Sequence, residues 1–296
     1  MKPYSLQSCL YLGLLFLSLV TCGFAGDKTA GTHDQGQHHE ESKMSQISEA
    51  VLALDLSAAK EMAKAQGAAA VPELMQLLQH DDNGVRADAV IALGEIDHPD
   101  AFKALMNAAK EGDNTVAGTA VAQLTKHGSR IGAGQFTQLL RTMKSDAARA
   151  QLVLTIGQRG SDGDRDELQS FCGKNGDPET ALSCRAALAK LGSETARKDF
   201  AEYLTSMKDM KAFALAEYID QRWLLPYLGH LLRSTDPVQY LGDMPPKFPR
   251  ILRVCDKAVV LIAKISGERF SYPTNVHMNY DIDQLTEAAK VAGPLP

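Results

Sequence analysis

An all-α fold, a right-handed solenoid of about six antiparallel helix hairpins, is predicted by three features of this 296-residue sequence. Short amphipathic stretches of helical period alternate with brief polar breaks. The pattern returns at a fixed distance: Ala89 and Ala120 lie 31 positions apart, and Gly94 and Gly157 lie 63 apart. Alanine recurs in runs such as Ala68-Ala69-Ala70 while aromatics make up only 6%, a composition that favours closely packed helices. A period of this size means stacked helical units, each unable to bury its apolar face alone.

Residues 1–25 read as an export signal. Lys2 provides a positive start, and Cys9 to Val20 is an apolar run, shorter than the roughly 20 residues that span a bilayer. Two processing schemes remain open. Gly23-Phe24-Ala25 places small residues where signal peptidase needs them, whereas Leu19-Val20-Thr21-Cys22 approximates a lipobox that would lipidate Cys22. Either scheme puts the mature chain outside the cytoplasm, in the periplasm or cell envelope.

Residues 26–43 are polar, without aliphatic periodicity, and are expected to form a disordered linker. His33, His38 and His39 with Asp34, Glu40 and Glu41 supply metal-ligating groups there, but nothing holds them in a coordination geometry, so no metal site is assigned.

Residues 44–70 are expected to form a pair of capping helices. The clearest repeat follows. Pro72 stands at a helix start, where its missing N–H costs nothing, and Val71, Leu74, Met75 and Leu78 share one helical face. Asp81-Asp82-Asn83-Gly84 breaks the helix and caps the next, whose stripe is Val85, Ala89, Ala92, Leu93 and Ile96. Later copies centre on Phe102 and Leu105 with Val116 and Leu124, on Phe136 and Leu140 with Val153 and Ile156, on Leu168 and Phe171 with Cys184 and Leu188, and on Phe200 and Leu204 with Phe213 and Ile219.

This unit resembles a HEAT repeat, in the short bacterial form labelled PBS-lyase HEAT-like. The residues that carry the likeness are Val71-Pro72-Glu73-Leu74, Asp82 to Ala89, and Ala92-Leu93-Gly94-Glu95-Ile96. The pattern weakens in later copies; Ala117 stands where the first has Arg86. The resemblance covers about residues 71–267 and implies a solenoid that binds a protein along the surface lined by its second helices. Polar positions there, Arg86, Asp88, Glu95, Gln123 and Arg185, are the candidate contacts it suggests. Some carriers of the family label attach bilins, which makes a lyase-type enzyme the remotest reading.

The last repeat is interrupted. Leu225-Pro226 repeats Val71-Pro72 at an offset of 154, but Val254 repeats Val85 at 169, so 15 residues are inserted between its helices, within residues 234–250. The insertion carries four prolines with Tyr240, Met244 and Phe248. A proline-stiffened loop can display these side chains to a partner at small entropic cost, or fold them back over the open end of the solenoid. Residues 268–296 then close the array: Phe270, Tyr272 and Tyr280 are expected against the final hairpin, Ile282, Leu285, Ala288 and Ala289 in one short helix, and His277 as a structural or surface group rather than a ligand. Trp223 is expected in interhelix packing.

Three cysteines follow the signal. Cys172 and Cys184 lie on predicted apolar faces, and a turn near Asn175–Asp177 would offset them along their helix axes, so buried thiols are expected. The sequence contains no P-loop, GxSxG, HExxH or CxxC motif, and neither catalytic residues nor a cofactor are assigned. A formal charge of −5 without a basic block argues against nucleic acid. The expected function is therefore a non-enzymatic scaffold or adaptor for an unidentified protein, touching the membrane only through a possible lipid on Cys22. The alternative is an accessory protein for a small ligand or metal.

Overall fold

The computed structural model describes residues 45–127, 133–159, 162–173, 177–244, 248–275 and 279–295, all within the unit Met44–Pro296. The expected export signal with Cys22, the expected histidine-bearing linker and His277 lie outside the described residues.

The described chain is an α-solenoid. Helices α1 (Gln46–Leu52) and α2 (Leu56–Gln66) pair at the N-terminal end, where the capping helices are expected. The repeats follow as α3 (Val71–Leu77) with α4 (Asn83–Leu93), α5 (Pro99–Glu111) with α6 (Asn114–Lys126), and α7 (Ala133–Thr142) with α8 (Asp146–Arg159). Next come α9 (Asp162–Cys172) with α10 (Pro178–Lys190) and α11 (Glu194–Met207) with α12 (Met210–Ile219). The final pair, α13 (Leu225–Leu231) and α14 (Val254–Ser266), is followed by a lone α15 (Ile282–Ala292). Even-numbered helices stack on one another from α2 to α14, and the odd-numbered ones form a second layer ending at α15. The core runs between the layers, from Leu74, Leu93 and Leu105 through Phe136 and Ile156 to Phe213, Leu228 and Ile262.

Local chemistry sets the helix starts. Asp82, Asp113, Asp177 and Asp209 each accept amide hydrogen bonds as N-caps of even-numbered helices, and Ser145 Oγ accepts Ala148 N–H at 3.1 Å in the same role. These five positions are spaced by 31, 32, 32 and 32 residues. Pro72, Pro99, Pro178 and Pro226 occupy first-turn positions.

Two expectations change. The insertion is a β-hairpin, β1 (Pro237–Met244) antiparallel to β2 (Phe248–Arg253), where a proline-stiffened loop was expected. In a two-stranded sheet each strand keeps a free edge, so proline at 237 and 249 removes no obligatory ladder bond. Gly242, with φ +96°, sits in the register shift between Tyr240 and Asp243, a backbone turn that a side chain would strain. Leu252 is buried and Val238 packs against the core, which anchors the hairpin's base.

The second change is a cystine. Cys172 and Cys184 are bonded, with Cα atoms 5.8 Å apart. The expected offset assumed that α10 starts level with the end of α9. The rise of about 9 Å from Pro178 to Cys184 along α10 is instead compensated by where α10 begins relative to α9, and the two Cα atoms come within bonding reach. Cys255 is free and buried.

The C-terminal end is closed by α15 and the segment before it. Ala288, Ala292 and Tyr280 are buried, Phe270 and Tyr272 pack against the core, and the Tyr272 ring lies 5.4 Å from those of both Phe270 and Tyr280. Ile282, Leu285, Ala288 and Ala289 lie in this one helix as expected, with Ile282 75% exposed at its start. Trp223 packs edge-on to Tyr227, donates to Gln221 Oε1 at 2.8 Å and lies under the Arg197 guanidinium.

Candidate interaction surfaces

The five polar candidates on the second helices are largely engaged within the protein. Arg86 Nη1 donates to the carbonyls of His80 at 2.5 Å and Asp81 at 2.9 Å, and Nη2 pairs with Asn83 and, at 2.7 Å, with Asp113. It thereby ties the α3–α4 turn to the N-cap of α6. Arg149, 63 positions later, repeats the arrangement: it pairs with Asp146 and donates to the Met143 carbonyl at 2.6 Å. Asp177, the next N-cap, is held below the usual carboxylate range chiefly by Thr180 and to a smaller extent by the Arg149 charge.

Glu95 is a second knot. Lys60 (3.5 Å) and Lys64 (3.2 Å) reach it from α2, and Lys126 (3.9 Å) from α6. Burial pushes the Glu95 carboxyl up, but the Lys64 hydrogen bond and the three ammonium charges outweigh it and hold the group below its ordinary value. Gln123 is buried, accepts from Lys126 at 2.7 Å and fills the space over Gly94, where a Cβ would lie 2.4 Å from its amide oxygen. His127 Nε2 donates to the Gly94 carbonyl at 2.6 Å beside it. The Arg185 guanidinium lies 5.9 Å from the Tyr203 ring centre. Asp88 is half-buried, and burial raises its pKa. Arg86, Glu95 and Gln123 build joints between repeats, whereas the side chains of Asp88 and Arg185 make no hydrogen bond or ion pair among the described residues.

The hairpin is different. Tyr240 and Ile251 are register partners, 58% and 39% exposed, and form an apolar pair on its outer face. The base beneath them is fixed. Arg253 grips the fully buried Asp256 through Nη2 at 2.7 Å and Nε at 2.9 Å, and also donates to the Tyr280 carbonyl at 2.9 Å. Just before β1, Asp236 pairs with Lys208 at 3.5 Å, and its carbonyl accepts Val254 N–H at 2.9 Å. Met244 and Phe248 pair across the turn end of the strands; their side chains lie outside the described residues.

Three clefts open between successive odd-numbered helices. One of about 610 Å³ lies between α3 and α5, one of about 640 Å³ between α5 and the start of α7, and one of about 780 Å³ between α13 and α15. The candidates read from the sequence lie mainly on the other layer, so these grooves were missed; Met75, 43% exposed on the expected apolar face, was the available signal. Among the described residues no group of three or more His, Cys, Asp or Glu side chains is placed to share a metal, and no helix is long and apolar enough to cross a membrane.

The family model for HEAT repeats matches residues 51–125, which spans α2 to α6. Among solved structures, the chain is similar to one in the complex of CpcE and CpcF of phycocyanin lyase from Nostoc sp. PCC7120. The two are 14% identical over 88% of this chain and 98% of that one, with a TM-score of 0.44. It is also similar to an engineered protein, at 19% identity over 84% of this chain and 72% of that one, with a TM-score of 0.31. No curated protein matches the chain.

Proposed function

Because this chain carries HEAT repeats, we propose that it is a non-enzymatic scaffold of the cell envelope that recognises a protein partner through the β-hairpin set into its last repeat. The carrying observation is the Tyr240–Ile251 pair, apolar and exposed, on strands whose base is locked by Arg253, Asp256 and Asp236. A rigid display of this kind loses little entropy on binding, and tyrosine is favoured at such contacts. A place outside the cytoplasm is supported by the N-terminal apolar run and by the cystine, which persists in oxidising compartments.

The test is a crosslinked pull-down of tagged protein from its native envelope fraction. Beside it runs a variant in which residues 240–251 are replaced by Asn-Gly, joining the register partners Gln239 and Leu252 through a two-residue turn. This keeps Val238 and Leu252 as anchors. One dominant partner that disappears with the variant, and weakens with Tyr240→Ala, supports the reading. A dominant partner retained by both moves recognition off the hairpin, and no partner in either removes the scaffold reading.

A further inference from the structure

The three clefts differ in charge. The α3–α5 cleft sets Asp81, Glu111 and Asp113 beside Arg86, and the α5–α7 cleft sets Asp97 beside Lys103. The α13–α15 cleft has a cation on each rim, Arg233 (with His230 beside it) on one side and Lys290 on the other, and no carboxylate among its described lining residues. The side chains of Arg233 and His230 are exposed and make no hydrogen bond or ion pair among the described residues, so the Arg233 charge faces solvent.

Between these rims the cleft is apolar. Gly229 lets α13 approach α15 closely, since a Cβ there would lie 2.8 Å from that of Ala292. With Ala288 and Ala292 as its buried face, α15 sits low and leaves Ile282, Leu285 and Ala289 on the cleft side, spaced i, i+3 and i+7. Ile282 at 75% and Leu295 at 47% are among the most exposed large apolar side chains described. An eleven-residue helix of this kind is about 16 Å long, the length of three turns of a docked helix.

We propose that this cleft receives an amphipathic helix of the protein partner whose apolar stripe is flanked on both sides by Asp or Glu. The stripe covers Ile282, Leu285 and Leu295, and the two acidic flanks meet Arg233 with His230 on one rim and Lys290 on the other. Two copies joined cleft to cleft are disfavoured, because each cleft brings the same cations. The proposal rests on the scaffold reading and names the chemistry of the partner.

The test uses the purified chain and two fluorescent synthetic helices with one leucine stripe, flanked by glutamate in the first and by lysine in the second. Anisotropy is read at low salt and at about 0.15 M, where exposed charges are partly screened. The acidic helix is expected to bind at least about tenfold tighter than the basic one. Arg233→Glu with Lys290→Glu should reverse that preference, and Ile282→Asn should weaken both. These side chains are exposed, and unchanged melting temperatures verify that the variants fold. Equal affinity for the two helices, or a preference untouched by the charge reversals, overturns the proposal. So does Ile282-dependent binding to anionic phosphatidylglycerol vesicles without binding to the acidic helix, which assigns the cleft to a lipid surface. Because purified components are used, failure here leaves the hairpin pull-down standing, and failure there leaves this result readable.

Discussion

The hydroxyl of Tyr218 occupies the space over Gly157, where a Cβ would lie 2.3 Å away. From there it donates to the Leu154 carbonyl at 2.7 Å, so a side chain on α12 reaches past α10 to α8. Lys190 adds to the same joint by capping the Tyr218 and Ile219 carbonyls at 2.8 and 2.9 Å. Gly157→Ala must displace this ring and press on Ala187, and should cost about 1–3 kcal/mol. Tyr218→Phe should cost only about 1 kcal/mol. Urea unfolding of the two variants checks the order; an alanine as mild as the phenylalanine would show that the joint is loose.

Burial also pushes the Tyr218 phenol well above its ordinary value, with Tyr203 and Tyr280 raised by the same cause. A raised folded pKa for a phenol contributes stability that is complete below the unfolded value, about 10, and is lost as pH rises beyond it. Stability should therefore fall above about pH 10, and Tyr218→Phe should flatten that limb. Thermal melts from neutral pH upward measure it.

The cystine holds a helix that buries little. Of the described side chains of α9, only Asp164 and Leu168 are buried, whereas α7 buries Phe136, Leu139 and Leu140. Cys172→Ser with Cys184→Ser should cost about 2–4 kcal/mol, and amide exchange should accelerate first within 162–173. Exchange that rises uniformly along the chain would instead make the loss global.

Glu95 joins α2, the end of α4 and α6 through three lysines. Its lowered pKa means that its contribution is present above the unfolded value, near 4.5, and is lost as pH falls through the folded one. Glu95→Gln should lower stability at pH 7 and remove part of the acid limb, which acid-titrated melts would reveal. An acid limb identical in the variant would rule this out.

Arg86 and Asp113 should prove coupled. Arg86→Ala removes charge-assisted bonds to two turns and should cost about 1–3 kcal/mol. Asp113→Ala loses an N-cap as well, and the double variant should cost less than the two singles together. Strict additivity in a double-mutant cycle would mean that the 2.7 Å contact contributes nothing measurable.

What the sequence determined by itself is the repeat. Apolar spacing, the prolines at helix starts and the capping aspartates act within a turn or two of the chain, so Val71 to Ile96 can be read as a helical pair without its neighbours. The place of the insertion was legible for the same reason, since two offsets that should agree do not. Its strands were harder to read, because a short apolar run with prolines becomes a hairpin only when Val238 and Leu252 find a core to sit on. The polar candidates were named from position on a helix face, but tertiary contact decided their employment: Arg86 and Glu95 find partners in other repeats, and Gln123 packs over Gly94. Only the fold set Cys172 beside Cys184, because axial offset depends on the path of the connection and not on helical period. Only the fold brought Arg233 and Lys290 to opposite rims of one apolar cleft, since α13 and α15 are separated in the chain by the hairpin and all of α14.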